Sequence, residues 1–306
     1  MIRDQLLSKN GTATLILSRE FLKYPEGGRI PTISEFAAKM KLARGTVQNA
    51  LKNLIASGAI EISSKGHLGS YLKKKDTAVL MEFAGIGSLV GTMPLPYSRR
   101  YEGLASGIIV SSERQDAVAV NLAYMRGAVN RMSMVESGRY DFAIVSKSAA
   151  ETCIGEGRPL KILIDFGSAS YLNRHVLMLH DGKKQKVEDG MKVGIDESSL
   201  DQKMLTRAVC EGKKVEYVPI EYTRSLDCIQ SGKIDAMVMN VDEILDKKLD
   251  IHYVVIDDYD PGNTAAVIVI DAKQEEIGAL LSEVIDTKTV LEVQKQVLAG
   301  EMIPRY

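Results

Sequence analysis

The sequence predicts an α/β chain in two parts: a short leading segment of three helices and a strand hairpin, then a larger segment of alternating strands and helices arranged as two lobes. Three observations carry that prediction. Charge divides unevenly, with 13 Lys and Arg against 5 Asp and Glu in residues 1–75, and 26 against 35 in the remainder. Hydrophobic spacing changes near Val79 from helical periods to strand–helix alternation. The roughly 230 residues that follow exceed what one sheet layer usually holds, so two lobes are expected rather than one. Composition fits this scheme: 306 residues with 45% hydrophobic and 26% charged residues suffice for a sizeable core.

Composition also narrows the function classes. No apolar run approaches the ~18 residues needed to cross a bilayer. The first ten residues hold Arg3, Asp4 and Lys9 and lead into no long apolar stretch, so a cytoplasmic chain without a secretory leader is expected. Cys153, Cys210 and Cys228 are widely spaced and odd in number, which suits a reducing compartment without a disulfide framework. A basic leading segment on an acidic body is the charge pattern of a nucleic-acid-binding head, although chance clustering of solvated charge gives the same sum.

The elements follow in order. Residues 12–24 place Leu15, Ile16 and Leu22 at helical spacing, and Pro25-Glu26-Gly27-Gly28 ends that helix. Thr32-Ile33-Ser34-Glu35 has capping-box form, so a second helix starts there, buries Phe36, Ala37 and Met40, and ends before Leu42. A third helix runs from Arg44 to about Ser57 and stops at Gly58. On a helical wheel Val47, Leu51, Leu54 and Ile55 share its inner face, and Gly45, Gln48, Asn49 and Lys52 the outer one. Gln and Asn can pair bidentately with adenine, and Lys can reach guanine or phosphate. Such a strip suits a recognition helix, but any surface helix has a polar outer face. Residues 59–62 alternate like a strand, 65–70 form a basic turn, Tyr71 begins the return strand, and Lys73-Lys74-Lys75-Asp76 reads as a linker. The expected division is therefore 1–75 and 76–306.

In the larger segment, strands are predicted at 83–93, 117–124, 142–145, 176–179, 192–195, 216–220, 236–239, 252–256 and 265–270. Helices are predicted at 98–110, 130–137, 199–210, 223–230, 274–286 and 288–299. The pattern Ser-Gly-basic-x-Asp followed by an apolar strand occurs twice, at Ser137 to Val145 and at Ser231 to Val238.

The order of pieces from Gly28 to Leu72 resembles the winged helix-turn-helix of the GntR group of bacterial regulators. The matching stretches are Gly28-Arg29-Ile30-Pro31-Thr32, Arg44-Gly45-Thr46-Val47-Gln48-Asn49-Ala50-Leu51, Gly58-Ala59-Ile60 and the turn Lys65 to Ser70. The resemblance implies that Arg44, Thr46 and Gln48 face DNA and that Gly66 to Gly69 tip a wing into the minor groove. Thr32, Ser34, Asn49, Lys52, Lys65 and His67 complete the expected double-stranded DNA contacts. There are three departures, and the two positive charges lost among them point to weaker, less salt-dependent phosphate binding or a different operator. Ser34 stands where an arginine is common, Ala43 replaces the usual serine, and Gln48 replaces a frequent arginine.

The body is similar to type 2 periplasmic-binding-protein domains, the fold that LysR-type regulators use for effector sensing. That similarity implies two chain crossings, near Asp165 to Ser170 and near Asp258 to Thr264, with a small-molecule effector in the cleft. The stretch Met93-Pro94-Leu95-Pro96-Tyr97-Ser98-Arg99-Arg100-Tyr101-Glu102-Gly103 resembles the YhfZ-type bacterial proteins. So do Met125-Arg126-Gly127-Ala128, Asp201-Gln202-Lys203 and Ala299-Gly300-Glu301, which together extend that resemblance over the whole chain. It implies a transcription regulator and leaves its effector open.

Ligands in doubly wound lobes sit beyond strand carboxyl ends and at helix amino termini. That rule selects Tyr97, Ser98, Arg126, Gly127, Ser146, Asp196, Ser198, Ser199 and Asn240, and Arg126 with two helix ends suggests an anionic or zwitterionic metabolite. Ser198 or Ser199 serving only as a cap, and Arg126 only as a surface ion pair, are the plainer alternatives. No Walker loop, nucleophile elbow or dinucleotide fingerprint occurs, and no His pairs with Cys or Glu at ligand spacing. A non-enzymatic, cofactor-free homodimer away from membranes is expected. The rival expectations are a body that serves only assembly and, more remotely, an enzyme on the same fold.

Overall fold

The computed structural model describes residues 8–114, 118–256 and 261–306. By packing, the chain divides into two compact units: Met1–Leu89 with Ser112–Val120 and Gln274–Val284, and Val90–Ser111 with Asn121–Lys273 and Ile285–Tyr306. None of the described helices is long and apolar enough to cross a membrane.

The first unit begins with α1 (Lys9–Leu22), capped by the Ser8 side chain, which accepts from Gly11 N. The helix starts three residues earlier than the apolar pattern suggests because that serine precedes it. Leu17 and Phe21 form its core face, whereas Leu15 and Ile16 are half-buried. After the two-residue strand β1 (Arg29–Ile30), too short to register as alternation, α2 (Ile33–Met40) carries the full capping box between Thr32 and Glu35. Phe36 and Ala37 are buried as expected, while Met40 is half-buried. Phe36 packs on Phe21 with ring centroids 5.8 Å apart. Helix α3 (Arg44–Ala56) buries Val47, Ala50 and Leu54. Here the wheel expectation is corrected. The inner stripe is narrow, so Ile55, one residue beyond Leu54, is 45% exposed and Leu51 only half-buried.

Strands β2 (Ile60–Ser64) and β3 (Ser70–Lys75) pair antiparallel around a 3₁₀ turn at Gly66–Leu68, and β1 adds to β3. The expected linker at Lys73 to Asp76 is absent. Lys75 pairs with Ile60 inside the sheet, and the Asp76 side chain accepts from Val79 N to cap α4 (Thr77–Ala84). Helix α4 also displaces the front of the predicted 83–93 strand. Thr77, Leu80, Met81 and Ala84 recur at helical spacing and are buried, so extended chain begins only at β4 (Leu89–Met93).

From β4 the chain continues through α5 (Arg99–Ser112), β5 (Val120–Tyr124), α6 (Ala128–Glu136), β6 (Phe142–Ser146), α7 (Lys147–Gly155) and β7 (Leu160–Asp165). The predicted start of the second strand, Ala117, lies outside the described residues. Residues 166–174 lead to β8 (His175–Leu179), β9 (Lys192–Ile195), α8 (Leu200–Val209), β10 (Glu216–Pro219), α9 (Ser225–Gln230), β11 (Ala236–Asn240), α10 (Val241–Asp246) and β12 (Tyr253–Val255). The chain then returns to β13 (Ala266–Asp271) before α11 (Glu275–Val284) and α12 (Thr287–Ala299). Two five-stranded sheets result, ordered β5-β4-β6-β13-β7 and β10-β9-β11-β8-β12. The chain passes between them twice, as the fold class requires; Asp258, named for the second passage, lies outside the described residues.

In each sheet one interior strand runs against both its neighbours: β13 is antiparallel to β6 and β7, and β8 is antiparallel to β11 and β12. Parallel pairs β4–β6 and β9–β11 hold the centre. Both repeated apolar strands, β6 and β11, are buried along their whole length, which their unbroken hydrophobic runs require. The edge strand β7 was not predicted, because its six residues mix buried and solvent-facing positions between Pro159 and Gly167. Helix α11 belongs by packing to the first unit. There Glu275 meets Lys23 at 3.1 Å and Glu276 meets Arg19 at 3.7 Å, close to α1.

Candidate functional site

Two surfaces carry chemistry, one in each unit. In the first, Ala43 precedes α3 without any side-chain cap bond, and the first turn holds no acidic residue. The open N–H groups and the positive end of the helix dipole are therefore not neutralised by the chain itself. Arg44, Gln48, Asn49 and Lys52 stand exposed on this helix, with Thr46 half-buried among them. Ser34 is exposed on α2, and Thr32 is exposed but already accepts from Glu35 N. On the wing, Lys65 lies 4.5 Å from the centre of the Tyr71 ring and His67 is exposed. Some cations of this unit are paired within it. Lys23 and Lys39 are held by Glu20, and Lys73 by Glu61. Among the described residues, Arg44, Lys52 and Lys65 enter no ion pair.

In the second unit a cavity of about 90 Å³ lies in the cleft between the two sheets' carboxyl ends. It gathers Tyr97, Arg126, Gly127, Asp196, Ser198, Ser199 and Asn240, the greater part of the set expected from topology. Ser98 and Ser146 do not line it. Ser98 is buried beside the Tyr101 N–H, and Ser146 caps α7 by accepting from Ala149 N. Both are spent on helix starts, the ordinary use of serine there.

Arg126, from the first lobe, reaches two carboxylates of the second: Asp196 at 3.5 Å and Glu221 at 3.0 Å. Asp196 is itself buried and accepts from Ser198 N, Ser198 Oγ and Tyr222 N. Arg100 makes a second bridge between lobes, to Asp242 at 3.0 Å. Arg99 N–H also donates to Asp246 at 2.7 Å, so polar bonds clasp the lobes together. Gly127 completes the closure with φ +79°, and a Cβ there would stand 2.9 Å from Ser198 O. Only glycine tolerates that combination.

The cavity also holds residues that topology did not single out. Arg131 is 3% exposed and donates to Ile144 O at 3.1 Å, Met125 O at 2.8 Å and Tyr171 Oη at 3.0 Å. Its signal was present, because Ala128, Arg131, Met132 and Val135 form one buried stripe and an arginine on such a stripe needs a reason. His175 is 6% exposed, and burial alone holds its imidazole down to about 4, so it is neutral. Its Nδ1 has no hydrogen-bond partner. In the β8–β11 register His175 lies opposite Asn240, a relation no single sequence displays. Tyr97, Tyr101, Tyr171 and Tyr222 supply aromatic walls, with Tyr97 and Tyr222 5.6 Å apart and Tyr101 and Tyr171 5.1 Å apart. Elsewhere, Cys153, Cys210 and Cys228 are buried free thiols, and burial pushes the first two upward, away from nucleophilic thiolate.

Comparison with known proteins places these surfaces in context. The family model described as the YhfZ C-terminal domain matches residues 76–306, and one described as a helix-turn-helix domain matches residues 25–72. The chain is 34% identical over 308 residues to "Uncharacterized protein YhfZ" of Escherichia coli (strain K12), covering 100% of both. It is similar to the crystal structure of YhfZ from Shigella flexneri, with 33% identity and a TM-score of 0.62 over 76% of this chain and 98% of that one. The periplasmic aliphatic sulphonate binding protein of Escherichia coli shares the body fold at 14% identity, with a TM-score of 0.52 over 70% of this chain and 74% of that one. A periplasmic substrate-binding protein of an ABC transporter from Coxiella burnetii does so at 12% identity, with a TM-score of 0.50 over 71% and 100%.

Proposed function

The chain belongs to the YhfZ family, with a helix-turn-helix region and a body of periplasmic-binding-protein fold, and on that footing we propose that it is a cytoplasmic DNA-binding transcription regulator. One observation carries the reading. The third helix offers an unneutralised amino end together with Arg44 and Lys52, which are exposed and enter no ion pair among the described residues. Cations kept free of partners are what a phosphate backbone recruits, because each contact releases a condensed counterion. Gln48 and Asn49 are the base readers, Arg44, Lys52 and Lys65 the phosphate contacts, and the His67 turn the wing. Two copies related by a two-fold axis would read a two-fold operator.

The body is the sensor in this proposal. Its cleft takes a small anionic or zwitterionic metabolite, supported by the cavity that unites Arg126, Arg131, Asp196, Ser198 and Asn240. Ligand and DNA affinities are then coupled with equal factors in both directions. The test of the DNA half is direct. Arg44→Ala should weaken binding to a retained genomic fragment about tenfold at low salt and lower the salt slope by roughly one for each phosphate no longer neutralised. Fluorescence anisotropy across a salt series measures both. Unchanged affinity would remove Arg44 from the interface.

A further inference from the structure

We propose that Arg131, rather than the more accessible Arg126, seats the ligand's charge, and that the ligand is a small hydroxy- or amino-carboxylate whose polar substituent hydrogen-bonds His175. The inference rests on the reading of the cleft as a ligand site and adds the ligand's chemical class. Its first support is the contrast between the two arginines. Arg126 already faces two carboxylates, at 3.0 and 3.5 Å. Arg131 is almost wholly buried, bonds only neutral acceptors, and enters no ion pair among the described residues. A buried guanidinium without a counterion is unfavourable, and an anion in the adjoining cavity offsets that.

Stoichiometry narrows the anion. A guanidinium has five N–H donors, and three are engaged, which leaves one on each terminal nitrogen. That pair matches one carboxylate. A phosphate dianion would meet the same two donors while facing Asp196 and Asp201 in the same lining. The helix ends point the same way. Asp201 already sits in the first turn of α8, whereas α6 begins at Gly127 with no side-chain cap and no acid in its first turn. The open positive end is thus the one that carries Arg131.

His175 supplies the second half. Its ring lines the cavity, is neutral and nine-tenths buried, and its Nδ1 lacks a partner. A neutral imidazole offers one donor and one acceptor, and leaving a buried nitrogen unpaired is unfavourable. A hydroxyl satisfies either nitrogen, and an amino group satisfies the acceptor. Volume limits the rest. At about 10–15 Å³ for each water-sized group, a 90 Å³ cavity admits on the order of six to nine such groups. That is the size of a three- or four-carbon substituted acid.

The experiment is calorimetric titration of the full-length protein with lactate, glycerate, malate, alanine and serine. Propionate and butyrate serve as unsubstituted acids, 1,2-propanediol and ribose as neutral probes, and inorganic phosphate as the other anion. At least one substituted acid should bind tenfold or more tightly than its unsubstituted counterpart and than phosphate. His175→Phe should erase that tenfold preference, and Arg131→Lys should weaken the acid at least tenfold, each with an unfolding temperature near the parent's. If the Arg131 variant fails to fold, the parent's selectivity and the His175 variant decide. Tightest binding by ribose or phosphate would overturn the carboxylate assignment and leave a ligand-binding cleft standing. Unchanged acid affinity in both variants would overturn the assignment of Arg131 and His175. Silence from every probe would remove the inference and the ligand half of the proposed function together.

Discussion

The two units meet charge in opposite ways. On the helix-turn-helix unit cations without an ion pair among the described residues are exposed: Arg44, Lys52 and Lys65 extend into solvent, and the first turn of α3 holds no acid. In the body the decisive cation is buried, with Arg131 roofed by two carbonyls and a tyrosine hydroxyl. The difference follows from what each would hold. A polyanion can be gripped by many weak, screened contacts, whereas a small ligand must be held by a few strong, desolvated ones. One region should therefore answer steeply to salt, and the other hardly at all.

Salt gives the largest expected effect. With about six to eight phosphates neutralised by the proposed dimer, DNA affinity should fall on the order of 10³-fold between 50 and 200 mM salt. Affinity for a carboxylate in the cleft should change less than about threefold, since buried pairs are screened little. Comparable slopes for the two partners would break the contrast. Acid gives the next effect. Folded His175 stays neutral to about 4, whereas its unfolded form takes a proton near 6.5. Between those values the unfolded state binds more protons, so stability falls as pH falls, by up to about 3 kcal/mol, and is fully present above 6.5. Denaturant melts at pH 7 and 4.5 should show this loss in the parent and not in His175→Phe.

Gly127→Ala comes third. The added Cβ meets Ser198 O at 2.9 Å in a backbone conformation that disfavours side chains, so cleft closure should suffer. About a tenfold loss of carboxylate affinity is expected, with ligand-free DNA binding unchanged, by titration and anisotropy respectively. The smallest effect sharpens the reading of α3. Ile55→Ala should cost under about 0.5 kcal/mol, whereas Leu54→Ala, fully buried, should cost about 2–4 kcal/mol in a chemical melt.

Much of the first unit was legible because its signals are local. The capping box at Thr32 and Glu35, the Gly58 stop and the wing turn each lie within a few residues, and the structure keeps them. The linker reading of Lys73 to Asp76 failed for a related reason: three lysines look solvated, yet Lys75 pairs with Ile60 across the hairpin. In the body, strand order put Tyr97, Arg126, Asp196 and Asn240 at the cavity, since strand ends define the cleft. His175 stayed hidden because its position depends on the register between β8 and β11, which are separated by more than fifty residues. Arg131 was visible as a charge on an apolar stripe, but only the folded chain reveals that no carboxylate among the described residues answers it.

The most direct measurement is retention of sheared genomic DNA, including the promoter region upstream of the protein's own coding sequence, by the purified full-length protein at 50 mM salt. A small set of fragments should be retained, released as salt rises, and lost in parallel by Arg44→Ala. Retention of no fragment at that ionic strength, by protein that is folded, would contradict the assignment of the basic α3 surface to DNA.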